Sequence, residues 1–220
     1  MNIPNEQKPA GTLFIISAPS GTGKTTLAKR LVKLVPDLVI SRSYTSRTAR
    51  AEERNGVDYN FVTRQQFEEM ITGNRFLEWA EIFGELYGTA LSDAERGITE
   101  GRSALLVINI DGARQLVDRG YEVVKIFVLP PSLSALETRL KHRNPNMQDV
   151  DINQRLDTAK REIKACKEYD HIVVNDDLDE CVNELRTIVV GGEKNLSGGT
   201  GDAARVLNRV TAELQDLDPS

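Results

Sequence analysis

Short, unbroken apolar runs recur along the chain. They are separated by segments in which apolar residues return every three or four positions. The runs are Leu13-Phe14-Ile15-Ile16, ALLVINI at 104–110, VVKIFVL at 123–129 and IVV at 172–174, with a weaker LVI at 38–40. Runs this short, without polar alternation, predict strands covered on both faces. The intervening spacing predicts helices with one apolar face each. Their stripes are Leu27, Leu31 and Leu34; Leu133, Leu136 and Leu140; Ile152, Leu156, Ala159 and Ile163; and Val182, Leu185 and Val189. Strands alternating with helices imply an α/β fold on a parallel sheet flanked by helices.

Residues 41–91 break this rhythm. They are Arg-rich at first, then alternate, with Val57, Tyr59 and Phe61 on one predicted strand face and Asp58 and Asn60 on the other. Thr63 with Gln66 reads as a capping box opening a helix that presents Phe67, Met70 and Ile71. This predicts a small α+β insertion, 41–91, in a core made of 11–40 and 92–190. A polar patch at 142–151, containing Asn144-Pro145-Asn146, reads as a loop between two helices. After Val190, Gly191-Gly192 and SGGTG at 197–201 predict a flexible linker within 191–220. A last amphipathic helix with Val206, Leu207, Val210 and Leu214 follows. It is expected to pack on its own chain or on a second copy, so a homo-oligomer stays open.

The balance of 28 Lys and Arg against 33 Asp and Glu gives a net charge of -5. That argues against nucleic-acid and anionic-membrane partners, and any anionic ligand must be met by a local cationic cluster. Cys166 and Cys181 are far from CxxC spacing, and His142 and His171 complete no metal-ligand pattern. All four read as core or solvated residues in a reducing compartment. The first eleven residues are polar, without the apolar core of a signal peptide, and no run reaches membrane-spanning length. A soluble, cytoplasmic protein is expected.

Two segments carry candidate chemistry. The first is SAPSGTGKTT at 17–26, between a predicted strand and a predicted helix. There backbone N–H groups converge on an anion and the helix N-terminus adds partial positive charge. Pro19, Ser20, Gly21, Thr22, Gly23, Lys24, Thr25 and Thr26 would hold ATP. Lys24 would reach the β- and γ-phosphates and the Thr25 hydroxyl would ligate Mg²⁺. The motif asks for glycine where Ala18 stands, and the competing reading is an ordinary Gly-rich turn. Asp111 would either serve the Mg²⁺ shell or cap a helix. The second segment is SRSYTSRTARAEER at 41–54. Its Arg42, Arg47, Arg50 and Arg54 suit bidentate phosphate binding, or form a solvated loop neutralised by Glu52 and Glu53.

The order SAPSGTGKTT, SYTSRTAR, NGVDYNFV, FLEWAEIFGELYGT, LPPS and IVVNDDLD resembles the guanylate kinase family from about residue 11 to 190. The resemblance implies a P-loop NTPase-type sheet, a nucleotide-monophosphate-binding insertion and a short lid at about 139–155. It implies transfer of a phosphoryl group from Mg²⁺–ATP to GMP and dGMP. Ser43 would contact guanine. Arg47, Arg50 and Tyr59 would bind the monophosphate, with Tyr87 and Thr89 completing the pocket. Arg139, Arg143 and Arg155 would close over the ATP phosphates and, with Lys24 and Arg47, stabilise the transferring charge. Asn175 would lie near adenine. An open arrangement is expected without ligands.

By the same resemblance Glu78 reads the base. A carboxylate accepts guanine N1–H and N2–H₂ in parallel, whereas adenine offers an acceptor at N1. Sites built on such hydrogen bonds discriminate by about 10⁴. The family commonly carries LDIDxQG where this chain has LVINIDG at 106–112. Val107 and Asn109 thus replace two aspartates and Asp111 replaces the glutamine. Asn109 keeps a carbonyl acceptor for guanine without the charge, so altered GMP affinity is expected. Two other functions fit parts of the pattern: a kinase of a phosphorylated sugar, and a non-catalytic interaction module of the same fold.

Overall fold

All five residues of β1 (Leu13–Ser17) are buried, as an unbroken apolar run at the centre of a sheet requires. The computed structural model describes residues 11–143, 148–191 and 201–216. After β1 come α1 (Lys24–Leu34), β2 (Leu38–Ile40), β3 (Ser43–Thr45), β4 (Asn60–Phe61), α2 (Arg64–Thr72), β5 (Phe76–Ile82) and β6 (Glu85–Ala90). Next are α3 (Leu91–Thr99), β7 (Ser103–Val107), α4 (Ile110–Asp118), β8 (Val123–Leu129), α5 (Leu133–Arg143) and α6 (Asp149–Lys164). A 3₁₀ turn (Ala165–Glu168) leads to β9 (His171–Val174), α7 (Leu178–Gly191) and α8 (Gly201–Asp216).

The main sheet has the order β2-β7-β1-β8-β9, and every pairing in it is parallel. Alternate residues of β1 enter opposite cores. Phe14 and Ile16 pack with Leu27, Ala28 and Leu31 of α1 and with Val182, Leu185 and Val189 of α7. Leu13 and Ile15 pack with Ala113 and Leu116 of α4, Ile163 of α6 and Val210 of α8. The C-terminal helix therefore covers its own chain's core. It also holds the start of α5: Glu213 accepts from Leu133 N at 3.1 Å, and the Arg209 guanidinium donates to the Pro131 carbonyl.

A second, mixed sheet has the order β4-β3-β6-β5, with β3–β4 parallel and the other pairs antiparallel. The capping box holds: Thr63 Oγ1 accepts from Gln66 N, and the Gln66 side chain accepts from Thr63 N. Phe67 and Met70 of α2 bury against Phe76 and Leu86, with Phe67 and Phe76 stacked at 4.4 Å.

Several expectations are corrected. Val57 is 51% exposed, and the predicted strand starts only at Asn60. Asn55-Gly56 opens a turn instead, with Gly56 at φ 74° and Val57 and Asp58 both donating to the Arg54 carbonyl. The 104–110 run is not all strand, because β7 stops at Val107. Asn109 then caps α4, its Oδ1 accepting from Gly112 N at 2.9 Å. Leu34, in the last turn of α1, stays 47% exposed beyond the buried stripe. Gly191 ends α7 rather than opening the linker. Cys166, Cys181 and His171 are buried, as the core reading expects. Residues 144–147 of the predicted loop, linker residues 192–200 and the Leu214 side chain lie outside the described residues.

Candidate active site

The loop between β1 and α1 turns at Gly21 and Gly23, with φ of 92° and 101°, which only glycine adopts without strain. Gly23 is the N-cap of α1 and brings no side-chain cap, so the first-turn N–H groups remain for an anion. Ala18 has no positive φ and is buried in the core, so that position needs no glycine; its carbonyl accepts from Lys24 Nζ. Behind the loop, Asn175 Nδ2 donates to the Thr22 carbonyl at 2.6 Å, and Arg139 Nη2 donates to the Asn175 carbonyl at 3.1 Å. Thr22, Asn175 and Arg139 thus stand behind the loop rather than along the cleft in front of it. The side chain of Arg143 lies outside the described residues.

That cleft, of about 590 Å³, is lined by Pro19, Ser20, Gly21, Gly23, Lys24, Thr25 and Thr26 on the loop side. Facing them from the second sheet are Ser43, Arg47, Arg50, Tyr59, Glu78 and Tyr87. Glu53 bridges the two arginines. Arg47 Nη1 and Nη2 donate to its two oxygens at 2.7 and 2.9 Å, and Arg50 Nη1 lies 3.5 Å away. Arg47 Nε also donates to the Tyr87 hydroxyl at 3.2 Å, and its guanidinium lies 5.5 Å from both the Tyr59 and Phe61 ring centres. Burial opposes the Arg47 charge, but Glu53 and Tyr87 outweigh it and the pKa moves upward. Arg47 is therefore held on an aromatic platform with Arg50 beside it, and Glu53 supplies the neutralising carboxylate. Tyr59 is raised by burial and turns its hydroxyl to the Thr25 side chain.

Glu78 is only 3% exposed, and burial pushes its carboxyl up to about 7. The Thr89 hydroxyl, buried and without an ideal hydrogen-bond partner, stands beside that carboxyl and favours its charged form. A bulge in β5 explains the placement. Phe76 pairs with Ala90 and Glu78 with Thr89, so one residue of β5 is extra. Phe76 then serves the small core, Leu77 the main core, and Glu78 the cleft.

Arg155 of α6 reaches both walls. Its Nη1 donates to Ser20 Oγ at 3.3 Å, and its guanidinium lies 4.5 Å from the Phe83 ring centre. Burial, then Arg50, lowers the Arg155 pKa. Lys29 of α1 pairs with Asp58 of the insertion. Side-chain contacts thus link the loop, the 41–91 segment and α6 across the cleft.

Sequence reasoning missed Phe83 and Glu162. Phe83-Gly84 joins β5 to β6 with φ of 51° and 79°, a two-residue turn whose signal was the short FG between strands. Glu162 lies two helical turns beyond Arg155, lines the cleft, and is raised by burial against the opposing pull of Lys24. Asn109 also lines the cleft, but its carbonyl oxygen is committed to capping α4. Asp111 neither caps the helix nor enters this cleft; its side chain is exposed, 3.7 Å from Arg114.

No group of three acidic, His or Cys side chains suited to a metal occurs among the described residues. The donor set at Thr25 suits a Mg²⁺ ion that arrives with phosphate and water ligands. Among the described residues no helix is long and apolar enough to cross a membrane.

The chain matches the guanylate kinase family model over residues 10–191. It is 42% identical to the guanylate kinase of Syntrophotalea carbinolica, over 94% of this chain and 96% of that protein. It is 41% identical to that of Geobacter sulfurreducens, over 96% of this chain and all of that protein. The crystal structure of guanylate kinase from Anaplasma phagocytophilum superposes with a TM-score of 0.70 at 30% identity, over 88% of this chain and 89% of that one. With a phosphate loop and a buried carboxylate facing each other across one cleft, and the family model covering both walls, the chain belongs to the guanylate kinase family.

Proposed function

We propose that this cleft transfers the γ-phosphoryl group of ATP to the phosphate of GMP, and of dGMP, as part of purine nucleotide metabolism in the cytoplasm. The observation that carries the reading is Glu78, a buried carboxylate in the same cleft as Lys24 and the Arg47–Arg50 pair. Guanine satisfies that carboxylate with two parallel N–H donors. A sugar phosphate leaves it unpaired and adenine sets its N1 acceptor against it, either of which is costly in a buried site.

The ATP phosphates lie on the Gly21–Thr25 loop, with Lys24 on the β- and γ-oxygens and Asn175 holding the loop from behind. The Thr25 hydroxyl would hold Mg²⁺ together with phosphate oxygens and water. Bound there, the ion neutralises charge across the β- and γ-phosphates. Arg47, Arg50, Tyr59 and Tyr87 orient the monophosphate, and Ser43, Glu78 and Thr89 hold the base. The attacking phosphate oxygen is already anionic at neutral pH, so no general base is needed. Arg155, touching both walls, is suited to the charge that spreads over the transferring group. Arg139, through its hydrogen bond to the Asn175 carbonyl, supports the phosphate loop from behind.

A coupled phosphotransfer assay with GMP, dGMP, AMP and UMP tests this. GMP and dGMP are expected to turn over with kcat/KM roughly a thousandfold or more above AMP. Comparable rates with AMP, or preference for a sugar phosphate, would refute it.

A further inference from the structure

The bulge that delivers Glu78 is held from outside the site, by one stripe of α4. Gln115 clamps both backbone groups of Trp79, the residue after Glu78. Its Oε1 accepts from Trp79 N at 3.2 Å and its Nε2 donates to the Trp79 carbonyl at 2.7 Å. Arg119, one turn further on, donates through Nη1 to the carbonyls of Phe76 and Leu77 at 3.1 and 2.6 Å. Those are the two residues preceding Glu78, across which the register shifts. One turn earlier on the same stripe stands Gly112, where a Cβ would run into the Glu78 carboxylate.

The three positions are spaced i, i+3 and i+7, so they share a helix face. Gly112 leaves the space, Gln115 grips the chain after the carboxylate, and Arg119 grips it before. A bulge disrupts the ladder locally and leaves its extra residue unpaired. Here the carbonyls of Phe76, Leu77 and Trp79 accept from side chains of α4 and its C-cap, a helix whose apolar face lies in the main core. The Arg119 charge also favours the ionised form of Glu78.

We propose that Gln115 and Arg119 are positioning residues that set the preference for guanine by fixing the backbone on either side of Glu78. The proposal rests on the reading of Glu78 as the residue that meets the base. Neither side chain touches the nucleotide in this scheme. Both act through the direction of one carboxylate, which must meet two donors at once and so tolerates little rotation.

The test compares Gln115→Glu, Arg119→Met, Arg119→Lys and Glu78→Gln in the full chain. KM and kcat are measured for GMP, AMP and ATP, and folding is checked by circular dichroism. Gln115→Glu keeps the acceptor for Trp79 N–H and removes the donor to its carbonyl. Arg119→Met keeps the apolar stem and removes both donors. The expected result is a rise of about tenfold in KM for GMP for each, from the lost hydrogen bonds. The GMP-to-AMP ratio should fall by a similar factor, with KM for ATP unchanged and partial recovery in Arg119→Lys. Lower thermal stability with an intact GMP-to-AMP ratio would overturn the proposal, as would equal rises in KM for GMP and ATP. If Glu78→Gln itself leaves guanine preference intact, the base-reading assignment fails, a result distinct from failure of the α4 brace alone.

Discussion

At the scale of single residues, the Glu78 carboxyl carries the clearest pH dependence. Burial pushes it up to about 7, whereas a guanine edge with two N–H donors favours the ionised form. Binding therefore draws the pKa down and releases a proton, so affinity for GMP rises as pH climbs through about 7. The unliganded fold has the opposite slope. Its folded carboxyl holds a proton more tightly than the unfolded one at 4.5, so stability present below that pH is lost as pH rises through about 7. Glu78→Gln should remove this carboxyl's share of both slopes, while the acceptor phosphate still titrates at about pH 6 in the rate profile. A variant profile that still steps near neutrality would assign the titration elsewhere. None of this was readable from FLEWA alone, since a glutamate in a strand is ordinarily a surface residue.

At the scale of elements, the β5–β6 hairpin meets α6 through one strained residue. Phe83 has φ 51°, a conformation that costs a phenylalanine about 1 kcal/mol or more. Its ring carries the Arg155 guanidinium, a contact worth about 1 kcal/mol. Asparagine accepts that backbone geometry but cannot replace the ring. Phe83→Asn is therefore expected to hold or raise the melting temperature while kcat falls about fivefold. A lower melting temperature with unchanged kcat would mean that the ring serves packing only. The strands and helices themselves were legible, because apolar runs and apolar periodicity differ in kind. Their ends were not: Asn109 stops β7 by capping α4, and Asn55-Gly56 overrides the alternation at Val57.

At the scale of the whole molecule, the two faces of the parallel sheet have separate cores, and the nucleotide loop sits where β1 leaves them. The C-terminal helix, beyond the family model's range, completes one of those cores with Val210. Val210→Ala should cost about 2 kcal/mol, lowering the melting temperature by several degrees as read by calorimetry. The GMP-to-AMP ratio should be unchanged, because α8 contacts β8 and β9 and none of its described residues lines the cleft. A changed ratio with an unchanged melting temperature would instead tie α8 to the base site. α8 also presses the start of α5 into place, and α5 in turn lays Leu136 and Leu140 against Gly21 of the loop.

Local chemistry is written in local order, and the sequence by itself determined everything that depends on it. The glycines and lysine of the loop, the α/β alternation, the capping box at Thr63 and the family membership all follow from neighbours within a few residues or from motifs in series. Only the tertiary structure decided what depends on residues far apart in the chain. Asn175 buttresses a loop about 150 residues away. Glu78 faces the cleft because one extra residue in β5 is gripped by a helix some 40 positions on. Burial and direction are properties of packing, and no spacing rule within a strand encodes a bulge that another element holds open.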